Sequence, residues 1–217
     1  MTENRTTKQA EVLAEYGPFP GIDHVHGVTH DGHDAWLAVG DRLQAVSPDG
    51  TIGRSLRVRA HAGTAFDGRH FYQIADGKIQ KVDPGTGDVL AIVPAPPSTD
   101  YAGLTWAEGA LWVAQHQGRR ILKIDPDTGR VLRTVQSDRL VTGVTFADGD
   151  LWHGAIEAGQ GELRHLDPNS GEVLEALSMP GGAYVSGLEY DGEDRFYAGG
   201  GRSGRLRVVR RPKRQGA

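Results

Sequence analysis

Nine histidines, 28 acidic residues and no cysteine decide what chemistry this 217-residue chain can perform. Without thiols it has no disulfide, thiolate zinc site or cysteine nucleophile. Imidazole and carboxylate remain. A neutral imidazole serves near pH 7 both as general base and as metal ligand. The sharpest local feature is His24-Val25-His26. Alternate residues of an extended segment share a face, so both rings can point the same way. That spacing suits chelation, and with a third His and a carboxylate it suits Zn2+ or another divalent ion. The same rings could instead form a hydrogen-bonded polar channel.

An internal repeat supplies the elements that must position these groups. Five segments align, beginning at Gly27, Gly63, Gly103, Gly143 and Gly187 with spacings of 36, 40, 40 and 44 residues. Nine positions after each leading Gly stands an aromatic: Trp36, Tyr72, Trp112, Trp152 and Phe196. Three positions after it stand His30, Phe66, Trp106, Phe146 and Tyr190. Acidic-Gly pairs such as Asp31-Gly32 and Asp148-Gly149 follow each first strand and favour tight hairpins. Turns of the type Asp83-Pro84-Gly85-Thr86-Gly87 precede the fourth strand in three repeats, and the first has the shorter Ser47-Pro48-Asp49-Gly50.

Units of about 40 residues with four short strands are β-propeller blades. The expected fold is therefore all-β: a single five-bladed β-propeller domain over 1–217 with four-stranded antiparallel blades. The 31 glycines agree, because interior Gly penalises helix. The fifth repeat lacks a fourth strand, and residues 11–15 (Glu-Val-Leu-Ala-Glu) match that pattern. They are expected to form the outer strand of blade five, so that the N-terminal strand closes the ring, with 212–217 as a tail.

Loops that enter the inner strands and loops that join second to third strands share one face, where ligands bind in such folds. Five histidines map there: His24, His26, His61, His116 and His153. Tyr101, Tyr184, Glu157 and Arg202 join them. His30 falls in the aromatic packing column, His33 and His70 in exposed turns, and His165 at a solvent-facing strand position. Glu189 stands out because its column otherwise reads Thr29, Ala65, Thr105 and Thr145. A carboxylate on an inner strand needs a partner. It is either a general acid or base with a raised pKa, or one half of a salt bridge to Arg202 or Arg205.

Two families share these features. Val185-Ser186-Gly187-Leu188-Glu189-Tyr190 resembles the Asn-Glu-Leu-Glu inner-strand motif of the five-bladed glutamine cyclotransferases, and the Asp-Pro-x-Thr-Gly turns are similar along the whole chain. Glu189 matches the second Glu of that motif, whereas Gly187 stands at the first. Val25-His26-Gly27-Val28 is similar to the Pro-His-Gly-Ile strand start of the streptogramin B lyases. That resemblance implies a divalent metal and a catalytic His.

The expected function is a small-molecule enzyme of lyase or cyclotransferase type at the channel mouth. His26, His153 and Glu189 are the catalytic candidates. His24 and His26 are the metal candidates. His61, Tyr101, His116, Glu157, Tyr184 and Arg202 are the substrate-binding candidates. The alternative is a non-catalytic binding module for a small ligand, peptide or protein. No nucleotide cofactor is expected, since no Gly-rich loop precedes a helix. The formal charge of −4 and the polar N-terminus fit a monomeric cytoplasmic protein with no membrane or nucleic-acid partner. Seven basic residues between Arg202 and Arg214 are the one charge asymmetry, read as a solvated last strand.

Overall fold

The computed structural model describes residues 7–213. It contains five antiparallel sheets whose inner strands are Gly27–His30, Thr64–Phe66, Tyr101–Ala107, Leu140–Ala147 and Gly187–Tyr190. These strands belong to blades one to five in chain order. Each begins within three residues of a leading glycine, as the repeat predicts.

The glycine column follows from how tightly the inner strands converge. A Cβ built at Gly27 would stand 2.6 Å from the Ala62 carbonyl oxygen of the next blade. Gly63, Gly103 and Gly143 meet the backbone of the following inner strand inside 3.0 Å in the same way. Gly187 completes the circle, with its Cβ position 2.5 Å from the Val28 backbone nitrogen. Only hydrogen fits at these five positions.

The aromatic column fills the gaps between blades. Trp36, Tyr72, Trp112, Trp152 and Phe196 are all buried. Trp36 packs on Phe71, Tyr72 on Trp106, Trp112 on Phe146 and Trp152 on Phe196, with ring centroids 4.9–5.5 Å apart. Each pair joins one blade to the next, at offset or tilted geometries that aromatic quadrupoles favour. The outer rim of this layer is capped by cations: Arg54 over Trp36, Lys81 over Tyr72 and Lys123 over Trp112. His165 occupies the corresponding place, stacked on Trp152 at 4.9 Å and paired with Asp150. It is therefore a cap on the aromatic layer rather than a solvent-facing residue.

Turn chemistry is as the sequence implies. The Asp83 carboxylate accepts the backbone N–H groups of Gly85 and Thr86, and Asp125 and Asp167 repeat the arrangement in their turns. Each Asp thus satisfies two donors that the tight turn would otherwise leave open.

The last blade closes with the N-terminus. Val12–Tyr16 pairs antiparallel with Leu206–Arg210, in the register Val12↔Val209 and Tyr16↔Leu206. The strand lies one residue later than expected. A further short strand, Lys8–Gln9, runs parallel to Val173–Ser178 and gives blade four a fifth strand. Arg210 pairs with Glu11 and Asp194, and Arg211 with Asp148 and Asp150. Most of the basic excess near the C-terminus is thereby neutralised within the chain. Of the expected 212–217 tail, residues 214–217 lie outside the described residues. Among the described residues no helix is long and apolar enough to cross a membrane.

Candidate functional site

The loops that precede the inner strands converge on a cavity of about 370 Å3 at one end of the channel. His24, His26, His61, His116, Tyr101 and Tyr184 all line it. Six of the expected site residues are thus brought together from four blades.

His24 and His26 sit on the segment that leads into Gly27–His30. Val25 pairs with Gly201 of blade five through its backbone N–H (3.0 Å), and His26 N–H donates to the Ala38 carbonyl (2.8 Å). Val25 is fully buried, which turns both imidazoles to the opposite side. The two rings stack with centroids 4.0 Å apart and planes 7° from parallel. Burial lowers the His26 pKa to about 4, and the nearby His24 and His61 act in the same direction. His24 is lowered by burial and by the positive charge of Arg202. His26 is therefore a neutral imidazole at physiological pH.

His116 occupies the turn between Ala110–Gln115 and Arg120–Ile124. Asp100 shapes this turn: its carboxylate accepts the N–H groups of Gln117 (2.7 Å) and Gly118 (2.8 Å), and its carbonyl accepts that of His116 (3.0 Å). The His116 ring places Nδ1 2.8 Å from the Val141 carbonyl oxygen of the next blade. A carbonyl can only accept, so Nδ1 carries the proton and the neutral ring has a bare lone pair on Nε2. The backbone thus fixes both tautomer and orientation, the role that an acidic residue fills in hydrolytic triads.

A divalent ion does not fit the His24–His26 pair as arranged. A metal lies in the plane of each imidazole that binds it, along the lone pair. Two near-parallel rings stacked at 4.0 Å have no common in-plane point within bonding distance. Among the described residues, the cluster of three metal-ligating side chains within 4.8 Å is Asp191, Glu193 and Asp194, in an exposed turn away from the histidines.

Four expected site residues, His153, Glu157, Glu189 and Arg202, lie outside this cavity. His153 is fully buried inside blade four, with Nδ1 2.8 Å from the Gly154 carbonyl and Nε2 3.4 Å from the Ser137 hydroxyl. Burial holds its pKa down at about 4. The alternation of strand Asp150–Glu157 turns it into the blade, so it reaches no substrate at the mouth. Glu157 is exposed and spends its carboxylate on Arg139. Glu189 is buried on the channel axis, deeper than the mouth. Its carboxyl accepts hydrogen bonds from Thr29 (3.1 Å), Thr105 (3.2 Å), Thr145 (2.5 Å) and the Tyr190 N–H (3.0 Å). Burial raises its pKa to about 7 against those hydrogen bonds. Among the described residues it makes no salt bridge: Arg205 pairs with Glu15 instead. The threonine column that made Glu189 conspicuous is itself the answer to what it binds.

Tyr184 and His24 also line a neighbouring cavity, and Arg202 belongs to that one alone, together with Ser203 and Arg207. The Tyr101 hydroxyl donates to the Pro96 carbonyl, so this residue offers the mouth its ring. Sequence reading had no signal for the work of Asp100 as a turn organiser. Ser186 binds backbone: its hydroxyl donates to the Val25 carbonyl (2.5 Å) and accepts the Gly201 N–H (3.0 Å).

No protein-family model and no curated protein sequence matches this chain. Solved structures do share its architecture. Myxococcus xanthus glutaminyl cyclase superposes with a TM-score of 0.76 over 95% of this chain and 97% of its own, at 19% identity. A catalytically inactive virginiamycin B lyase from Staphylococcus aureus with quinupristin gives 0.54 over 88% and 68%, at 18% identity. The WD40 propeller domain of Doa1 gives 0.55 over 87% and 64%, at 16% identity. At these identities the likeness is one of fold: this chain is a five-bladed propeller similar in architecture to glutaminyl cyclase.

Proposed function

We propose that the histidine-lined mouth is the active site of a small-molecule enzyme of lyase or cyclotransferase type. The observation that carries this reading is His116, whose Nδ1 is held by the Val141 carbonyl at a cavity shared with the neutral His26. His116 Nε2 would take a proton from the substrate. A neutral imidazole is a weak base at a pKa near 4 but a good hydrogen-bond donor, so His26 would polarise a substrate carbonyl. His61 and the rings of Tyr101 and Tyr184 would wall the pocket. A base so placed contributes roughly 10^2–10^4 in rate.

Architecture supports two substrate types to try first. In a glutaminyl substrate, the α-amino nitrogen attacks the side-chain carboxamide carbon. The C–N bond to the leaving nitrogen breaks, and ammonia departs with the proton that the base collected. In elimination from an ester, the reaction to be tried with quinupristin, His116 would take a proton from the carbon next to the one that bears the ester oxygen, a C=C bond would form as that C–O bond breaks, and the carboxylate would leave. Both need one base and one carbonyl-polarising donor. No step is assigned to a metal, since His24 and His26 do not converge on one point.

The test is turnover of glutaminyl peptides, read by ammonia release, and of quinupristin, read by chromatography, with wild type and His116→Gln. Turnover that falls about 100-fold in the variant, at unchanged melting temperature, supports the proposal. Absence of turnover, or equal rates in both proteins, counts against it. The second reading, a binding module, is favoured by one observation: both Asp100 oxygens are occupied by backbone amides, and Asp100 is the sole carboxylate in the cavity lining. Under that reading ligands bind unchanged and no product forms.

A further inference from the structure

Beside the mouth lies a second cavity of about 550 Å3, which shares His24 and Tyr184 with the first. Its lining contains Arg202 and Arg207 and no carboxylate. Arg207 is bound to Glu15, but Glu15 also holds Arg205, so two guanidinium groups share one carboxylate. Arg202 has no carboxylate within ion-pair distance among the described residues, although the other arginines from 205 to 211 are all paired. The cavity therefore carries an excess of positive charge. Asp23, the nearest acidic residue in sequence, lines neither cavity.

Arg202 is also firmly mounted. It stands at the tip of a tight turn in which Ser203 N–H donates to Gly200 O and Gly204 N–H to Gly201 O, both at 3.1 Å. Ser186 and Val25 clamp the base of the turn through Gly201. Gly201 takes a φ of +57°, and a Cβ there would stand 2.7 Å from the Tyr184 ring. The glycine thus lets Tyr184 lie flat against the turn, next to Arg202. The turn fixes where the exposed Arg202 side chain starts, beside the cavity, and its planar guanidinium favours a bidentate oxyanion partner.

We propose that this cavity is an oxyanion subsite in which Arg202 binds a carboxylate or phosphate carried by a small molecule. The guanidinium supplies the fork of donors. Tyr184 adds a hydroxyl donor, whereas the Ser203 hydroxyl is spent on the Gly200 carbonyl (2.8 Å), and the positive excess at Arg207 favours the negative charge. As part of a substrate site, this inference rests on the proposed activity and narrows its substrate to an anionic molecule whose reacting carbonyl reaches past His24 to His26. As an anion site it stands independently of any turnover.

The experiment is calorimetric titration of the full chain with sodium succinate and with sodium phosphate at constant ionic strength, with sodium chloride as control. Millimolar binding of either ion is expected, weakened at least tenfold by Arg202→Gln and partly retained by Arg202→Lys. Tighter phosphate identifies a phosphate-bearing ligand, and tighter succinate a carboxylate. Binding no stronger than chloride, or equal binding by wild type and Arg202→Gln, overturns the proposal. His116→Gln is expected to bind the anion as wild type does. Anion binding without turnover therefore refutes the activity alone, whereas turnover without anion binding refutes the subsite alone.

Discussion

Replacing Glu189 by Gln should change the pH dependence of stability rather than the fold. The carboxyl is buried on the channel axis and receives hydrogen bonds from three threonines on three other blades. Burial raises its pKa from 4.5 to about 7 in the folded protein. Between those values the unfolded chain has released the proton that the folded chain keeps. Stability from this group is thus complete below pH 4.5 and is lost as the pH rises through 7. At about 1.4 kcal/mol per pKa unit, this amounts to about 2–3 kcal/mol lost between pH 5 and pH 8. Gln has nearly the same shape and no charge, and the threonine hydroxyls can rotate to serve its amide. His26 and His153 act in the opposite sense, because their lowered pKa values near 4 favour the folded state as pH rises towards 6.5. They are common to both proteins and cancel in the comparison. Urea unfolding of wild type and Glu189→Gln at pH 5 and pH 8 gives the test. The variant should gain about 2–3 kcal/mol on wild type over that interval. Parallel curves would refute the reasoning and mean that Glu189 stays ionised in the folded state.

Deleting residues 1–15 removes most of the strand that pairs with Leu206–Arg210, along with the Glu11 and Glu15 ion pairs. The melting temperature should fall by more than roughly 10 °C, since several kcal/mol are lost and an edge is opened; an unchanged melt rejects this closure. Gly103→Ala forces a methyl into backbone of the next blade inside 3.0 Å. It should cost at least about 2 kcal/mol and lower the melt by roughly 5 °C or more, and a neutral outcome would show that the inner strands can separate. The His26 ring, followed by NMR, should remain neutral down to about pH 4, whereas a midpoint near 6.5 would mean that the ring is open to water.

The repeat was legible because its constraints are local and recur five times. A leading Gly is demanded wherever inner strands touch backbone to backbone, and an aromatic wherever two blades meet. The closing strand was legible for the same reason, since a blade lacking its outer strand leaves an open edge. The mouth was legible as far as strand order decides which loops share a face, which brought His24, His26, His61 and His116 together correctly. His153 went astray because strand alternation inside blade four buries it, a one-residue matter of phase. Glu157 and Glu189 found partners, Arg139 and the threonines, that are distant in sequence and set by packing between elements. The tautomer of His116 depends on the Val141 carbonyl, 25 residues away on the neighbouring blade. No pattern within a single segment contains that information.

The central claim is that His116, with its proton fixed on Nδ1, is the base of a small-molecule reaction at the channel mouth. Its most direct test is the steady-state rate of wild type and His116→Gln on whichever of the glutaminyl peptides or quinupristin is turned over, with melting temperatures measured alongside. The account predicts a loss of about 100-fold or more in kcat and the same melt. Equal kcat values in two equally stable proteins would contradict it.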